Sequence, residues 1–141
     1  MTFYLLFALR YFCSMKNWIT FAAILGAITV ILGAIGAHTL RNTLSDVQLN
    51  SFATGVRYQM WHIFAIAGCV LLSKQFNVNL NASLWLFAIG ILFFSGSIFL
   101  LSTIPVHGME GVKTIGLATP IGGLLLVAAW LSVAIQFMRN K

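Results

Sequence analysis

The chain has 141 residues, of which 60% are hydrophobic and only 7% are charged, and its formal net charge is +6. Because soluble globular domains carry about 25% charged residues, this composition excludes an ordinary soluble domain and predicts a membrane protein. The eight basic residues are scattered singly between long apolar runs, so we expect no nucleic acid partner and interpret them as topology signals.

The N-terminal part of the chain contains a short apolar stretch and then a longer one. Residues 1–15 carry a basic residue in their middle and no cleavage site, so we expect an interfacial or dispensable extension before a single domain, 16–141. No charged residue occurs between Lys16 and Arg41, which predicts a first span over 17–39. Glycines recur on one face of this span, and we expect them to pack against a neighbouring helix: Gly26, Gly33 and Gly36.

The second predicted helix opens with Ser45 and Gln48, which have the spacing of a capping box. Its first half is amphipathic, so we expect this half to lie at the membrane surface and to lead into the span. The 16 residues between Arg57 and Lys74 are uncharged, fewer than the about 20 that cross a bilayer. The span is therefore predicted over 54–73, with Arg57 inside its boundary.

Two further apolar stretches predict spans over 83–104 and 117–138, separated by a loop over 105–113. The fold class is therefore all-α: an integral membrane bundle of four antiparallel transmembrane helices, with an amphipathic stretch leading into the second. A glycine pair near the start of the last span predicts close helix packing: Gly122 and Gly123.

The lysines and arginines near the span ends predict the orientation of the bundle. With both termini in the cytoplasm, five basic residues lie inside: Arg10, Lys16, Lys74, Arg139 and Lys141. Three lie outside: Arg41, Arg57 and Lys113. We therefore expect the N-terminus and the C-terminus to be cytoplasmic.

Polar residues concentrate on the predicted outer side, where spans one and three end and spans two and four begin. The inner half has almost none, so we expect a polar pocket that opens outward. Its candidate lining residues are His38, Tyr58, Gln59, His62, Ser95, Ser102 and Thr119. By helical geometry we further hypothesise that Gln59, His62 and Ser95 line the same pocket.

Several of these polar residues allow more than one interpretation. Arg57 lies on nearly the opposite helix face from His62, and it either snorkels to the headgroups or, like Arg41, contacts an anionic lipid or ligand. His62 either forms a hydrogen bond to Ser95 or to a backbone carbonyl, or it binds a ligand or a proton. His107 lies in an exposed loop, where we expect it to be solvated, and we predict no metal site.

The spans contain no residue that points to catalysis. The only acidic residues, Asp46 and Glu110, lie in predicted aqueous segments, which leaves no catalytic carboxylate pair and no intramembrane carboxylate for proton-coupled transport. The alternatives are a scaffold, lipid-binding or interaction subunit, or a redox anchor that holds haem or a quinone at His62. A small-molecule or proton-coupled transporter is a third, less favoured alternative, in which His62 would have to serve in place of the missing carboxylate. The scaffold, lipid-binding or interaction subunit requires the fewest special roles of the residues, and we expect this function. We expect no cofactor. Membrane lipid is the expected partner, and a second copy of the chain or another membrane protein is a further candidate partner.

Four segments together carry a family resemblance: GAIGAHTL (33–40), TGVRYQMWH (54–62), FSGSIFLL (94–101) and TPIGG (119–123). In this order and spacing, the chain closely resembles the domain-of-unknown-function 423 family, small bacterial inner-membrane proteins similar to animal transmembrane protein 256. The resemblance covers roughly residues 15–138. It implies a four-span protein of the bacterial cytoplasmic (inner) membrane and brings no catalytic residues with it.

Overall fold

Four long helices account for most of the chain in the computed structural model. The structure describes the backbone of residues 2–140 and the side chains of residues 15–109, 111 and 114–140. Within that range it is all-α, with no strand. The helices are α1 (Thr2–Ala37), α2 (Asp46–Phe76), α3 (Asn81–Ser102), the single turn α4 (Ile104–His107) and α5 (Ala118–Arg139), with 3-10 turns at Leu40–Asn42 and Glu110–Leu117.

Four segments are long and apolar enough to cross a membrane by length and composition, which confirms the predicted fold class. They are Met15–Asn42, Asp46–Phe76, Asn81–Ser102 and Thr114–Arg139. The third helix ends at Ser102, two residues before the predicted end. Pro105 explains this difference, because it has no backbone N–H with which to continue the helix.

The backbone of helix α1 includes residues 2–15, most of the segment for which we predict an interfacial or dispensable extension. Its 36 residues correspond to about 54 Å at 1.5 Å per residue, against a hydrocarbon core of about 30 Å. The backbone of residues 2–15 therefore extends the first helix along its own axis.

The predicted capping box at the start of α2 is confirmed. The Ser45 backbone N–H donates to Gln48 Oε1 at 2.9 Å, and the Gln48 N–H donates to Ser45 Oγ at 3.4 Å. Two helix N-terminal donors are satisfied in this way. The chain therefore re-enters a helix directly after the turn that follows α1, which brings α2 back along α1.

The main helix contacts follow chain order: α1 packs against α2, α2 against α3, and α3 against α5. Helices α2 and α3 are thus central, while α1 and α5 flank them. The side chains of Ile66, Leu84 and Phe87 are fully buried in the shared core.

Glycines set the closest helix crossings. A Cβ on Gly122 of α5 would lie 2.7 Å from the Phe94 Cα of α3, so only glycine fits between these backbones. The neighbouring Gly123 has ordinary contact distances to the Phe94 ring.

On α1, a Cβ on Gly36 would lie 2.9 Å from the Phe52 ring, and one on Gly33 would lie 3.6 Å from Val56. Gly26 differs from these two glycines, because a Cβ there would meet nothing within 4 Å. At this level Thr29, one turn further along α1, makes the contact with α2.

Candidate functional site

Two arginines and an asparagine line one groove between the end of α1 and the first half of α2. The groove has a volume of about 560 Å³, and we call it the arginine groove. Arg41 comes from the turn after α1, and Asn50 and Arg57 come from α2. Small and apolar residues form the rest of its lining: Gly33, Gly36, Ala37, Leu49, Phe52, Ala53 and Val56.

The positive charge of the arginine groove is not neutralised by the described part of the protein. Arg41 and Arg57 are both exposed, and neither guanidinium has an ion pair or a hydrogen bond with a described residue. Asp46, an acidic residue whose side chain is described, does not line the groove. The groove therefore combines an apolar floor with two cations that have no partner among the described residues.

A second cleft opens between α2 and α5. It has a volume of about 400 Å³ and is lined by Arg57, Tyr58, Trp61, His62 and Trp130; we call it the histidine cleft. Arg57 therefore shares a cleft with His62, which corrects the expectation that these two side chains point to nearly opposite sides. Their Cα atoms differ in helical angle, but the long arginine side chain reaches the cleft around the helix surface.

His62 is bound to its own helix. Its Nδ1–H donates a 2.7 Å hydrogen bond to the Tyr58 carbonyl, so the partner is a backbone carbonyl and not Ser95. Aromatic rings surround the imidazole, with centroids 6.0 Å away for Tyr58, 5.7 Å for Phe87 and 6.4 Å for Trp130. The histidine is 7% exposed.

The structure does not bring Gln59, His62 and Ser95 into one pocket. Gln59 donates to the Thr29 hydroxyl on α1 and lines a different cleft, between α1 and α3. Ser95 is fully buried, and its hydroxyl has no partner among the described residues. The hypothesis failed because the helical angles do not say which neighbour stands on each side of α2.

The remaining candidate residues lie outside both clefts. His38 is exposed and lines neither of them. Ser102 donates at 2.7 Å to the Ile98 carbonyl of its own helix. Thr119 and Ser97 are joined by a 2.7 Å hydrogen bond between α5 and α3, which makes them interhelical contacts.

His107, the last residue of α4, is held by the backbone of the end of α3 and of the residues that follow α4. Its Nε2–H donates to the Leu100 carbonyl at 3.0 Å, while its Nδ1 accepts from the Met109 N–H at 3.1 Å. Both ring nitrogens are therefore engaged. Within the part of the chain that the structure describes, no group of three or more histidines, cysteines or acidic residues could hold a metal ion.

Sequence reasoning missed three residues that shape these sites. Asn50 lines the arginine groove, Trp130 lines the histidine cleft, and Thr29 joins α1 to α2. Their positions on helix faces were visible in the sequence, but the partner helix facing each of them was not.

Comparisons with known proteins agree with the architecture. The model of the family described as "Protein of unknown function (DUF423)" matches residues 32–123. A UPF0382 membrane protein of Staphylococcus haemolyticus is 36% identical over 125 residues, covering 89% of this chain and 98% of the relative. A UPF0382 membrane protein of Haemophilus influenzae is 38% identical over 130 residues, covering 90% and 98%.

A third relative is named for its location. The UPF0382 inner membrane protein YgdD of Escherichia coli is 34% identical over 122 residues, covering 86% of this chain and 88% of the relative. No solved structure matches the chain.

Proposed function

This chain belongs to the DUF423 family, whose relatives are membrane proteins, and we propose that it is a non-catalytic subunit that binds an anionic lipid headgroup in the arginine groove. One observation carries the proposal: Arg41 and Arg57 converge on one groove with an apolar floor and no acidic partner among the described residues.

The chemistry of the groove matches a phosphate ester. A guanidinium offers several N–H donors in a fixed plane and can bind a phosphate through two of them. Asn50, which lines the same groove, adds an amide that can donate to a phosphate or glycerol oxygen. An anion bound here would compensate two charges that are otherwise costly at a membrane boundary.

The groove floor supports a lipid rather than a free anion. Gly33 and Gly36 on α1 present no side chain, and the facing surface of α2 is formed by Phe52, Ala53 and Val56. A free phosphate would leave this apolar surface uncovered. A glycerophospholipid can place its phosphate at the arginines and its glycerol and acyl carbons along the floor.

We further propose that both termini are cytoplasmic, so that the arginine groove faces the outer leaflet. The charge distribution supports this orientation, because Lys16 and Lys74 line a groove at the other end of the bundle and Arg139 ends α5. Three described basic residues thus stand against two, Arg41 and Arg57. The more basic side of a membrane protein is usually cytoplasmic.

The experiment is a lipid competition read by native mass spectrometry. Purified protein in mixed micelles is offered phosphatidylglycerol and phosphatidylcholine at equal amounts, and soluble glycerol phosphate is offered in a separate arm. We expect selective retention of phosphatidylglycerol and no retention of glycerol phosphate. Arg41→Gln and Arg57→Gln each weaken the selectivity, and the double variant removes it.

The matched control is Arg139→Gln, which removes an exposed arginine at the other end of the bundle and should leave the selectivity unchanged. Equal retention of both lipids by the native protein would refute the proposal, as would full selectivity in the double variant. Binding of glycerol phosphate as tight as that of the lipid would assign the groove to a soluble phosphate ester instead.

A further inference from the structure

We propose that the histidine cleft, which shares Arg57 with the arginine groove, is a second binding site for an amphipathic molecule with a hydroxylated aromatic ring, of the hydroquinone class. The ligand would enter from the membrane between α2 and α5 and would donate a hydrogen bond from a ring hydroxyl to Nε2 of His62. This site does not depend on lipid binding at Arg41.

The hydrogen bond of His62 to its own helix determines what the free side of the ring can do. A carbonyl oxygen only accepts hydrogen bonds, so the 2.7 Å contact to the Tyr58 carbonyl requires the hydrogen to be on Nδ1. In the neutral ring, Nε2 then carries a lone pair and no hydrogen. The cleft therefore presents an acceptor, which a hydroxyl group can satisfy and an ether or hydrocarbon cannot.

This acceptor is within reach of a ligand. Among the described residues, Nε2 has no hydrogen-bond partner. The side-chain polar atoms there that are both buried and without a partner are Asn81 Oδ1 and Ser95 Oγ. Nε2 is not one of these buried atoms, so it keeps accessible surface, and His62 lines the cleft. An acyl chain in the same place would leave this polar atom unpaired, which is unfavourable in an apolar medium.

The walls of the cleft favour a flat ring. The Tyr58 ring lies nearly parallel to the imidazole, at an angle of 28°. Trp130 forms the α5 wall and is held edge-on against Phe87 at 5.2 Å. Aromatic rings prefer such offset and edge contacts with one another, so a ligand ring completes a cluster that is already ordered.

The cleft is open to the bilayer and has a polar group at its edge. Trp61 is 69% exposed and Trp130 is 52% exposed, so a lipid-soluble molecule can enter sideways without crossing the polar ends of the bundle. Arg57 also lines the cleft and can donate to an oxygen on another part of the ring. Among the residues whose side chains the structure describes, no second histidine, cysteine or acidic side chain lines the cleft.

The test is a binding titration with three probes in detergent micelles at one fixed detergent concentration. Decyl hydroquinone has the ring, the tail and two hydroxyl donors; its dimethyl ether has the same ring and tail but no donor; decanol has a hydroxyl and a tail but no ring. For the native protein we expect hydroquinone to bind about tenfold more tightly than its ether. This affinity ratio corresponds to the net free energy of about one hydrogen bond. Decanol should bind more weakly than hydroquinone.

The variants identify the acceptor. His62→Phe keeps an aromatic ring and should abolish the preference for hydroquinone over its ether, whereas His62→Gln keeps a side-chain carbonyl acceptor and should retain part of it. His38→Gln, at an exposed histidine outside the cleft, should retain all of it. Trp130→Ala should weaken both ring probes several-fold, and it tests the site even where a His62 variant does not fold.

Four results would overturn the inference. These are equal binding of hydroquinone and its ether to the native protein, an unchanged preference in His62→Phe, decanol binding as tight as that of hydroquinone, or a haem absorbance band that the native protein shows and His62→Phe lacks. Arg41→Gln, which weakens the lipid site, should leave the hydroquinone preference intact, so the two sites can fail separately.

Discussion

The Gln59 side-chain nitrogen of α2 donates a 2.7 Å hydrogen bond to the Thr29 hydroxyl of α1. That hydroxyl in turn donates at 2.7 Å to the Leu25 carbonyl one turn earlier. The two hydrogen bonds therefore connect a side chain of α2 to the backbone of α1. Gln59 is 4% exposed and Thr29 is fully buried. Because lipid provides no hydrophobic driving force between helices, such polar contacts help to hold α1 against α2.

The Gln59 and Thr29 side chains should be energetically coupled. Gln59→Leu and Thr29→Val should each destabilise the protein by about 1 kcal/mol, because either change leaves a polar partner unpaired in the membrane. The double variant should cost less than the sum of the two. Unfolding titrations with a denaturing detergent, arranged as a double-mutant cycle, measure this coupling.

The matched control for this cycle is Thr20→Val. The Thr20 hydroxyl is exposed and donates at 3.0 Å to the Lys16 carbonyl of its own helix, so its removal should be additive with Gln59→Leu. Strict additivity of Gln59→Leu with Thr29→Val would show that the bond contributes nothing to the α1–α2 contact.

Gly122 should not tolerate any side chain. In Gly122→Ala, the new Cβ would lie 2.7 Å from the Phe94 Cα, and neither backbone can move aside without separating α5 from α3. Overpacking of this kind costs about 1–3 kcal/mol. The same detergent titration, together with the fraction of monodisperse protein after purification, measures the loss.

Gly26→Ala is the control for this change, because a Cβ there would meet nothing within 4 Å. We expect its stability to be unchanged or slightly higher, since alanine is the better helix former. Equal stability of the two alanine variants would contradict the close crossing of α3 and α5.

Features that depend on local sequence could be predicted, whereas features that depend on the order of helices around the bundle could not. The number of spans and the Ser45–Gln48 capping box follow from local composition and spacing, and the structure agrees with both. The candidate pocket required knowledge of which helix faces Gln59 and which faces His62. Residues three positions apart on α2 proved to serve different neighbours, α1 for Gln59 and α5 for His62.

Arg57 shows a second limit of reasoning from helix faces. A helical wheel places the Cα atom, but a long flexible side chain can reach a cleft well away from its own face. The same arginine therefore lines both the groove beside α1 and the cleft beside α5. Ser95 has a short side chain and Gly122 has none, so the Cα position fixes their location more closely, yet their partners still depend on which helix is adjacent.

Two serines on α3 should respond in opposite ways to truncation. Ser95 has a buried hydroxyl without a partner among the described residues, so Ser95→Ala should leave stability unchanged or raise it by about 1 kcal/mol. The Ser97 hydroxyl donates to the Phe94 carbonyl and therefore accepts the 2.7 Å hydrogen bond from Thr119. Ser97→Ala should lower stability by about 1 kcal/mol.

These two variants control each other, since they remove the same atom from the same helix two residues apart. Detergent unfolding of both, compared with Thr119→Val, measures the difference. A larger loss for Ser95→Ala than for Ser97→Ala would mean that Ser95 has a partner, such as a buried water or a bound ligand.

The orientation of the bundle can be read by cysteine labelling in intact cells. The background is Cys13→Ser, and Cys69 can remain because it is buried. We introduce either Thr43→Cys in the turn after α1 or Asn140→Cys at the end of α5. Both positions are exposed. If the termini are cytoplasmic, an impermeant maleimide should label Thr43→Cys directly and Asn140→Cys only after the membrane is permeabilised. The physical reason is the retention of the more basic side in the cytoplasm. The reverse labelling pattern would place the arginine groove in the cytoplasmic leaflet and overturn the proposed topology. The lipid-binding proposal would stand, because the groove and its two arginines would be open to a lipid of that leaflet.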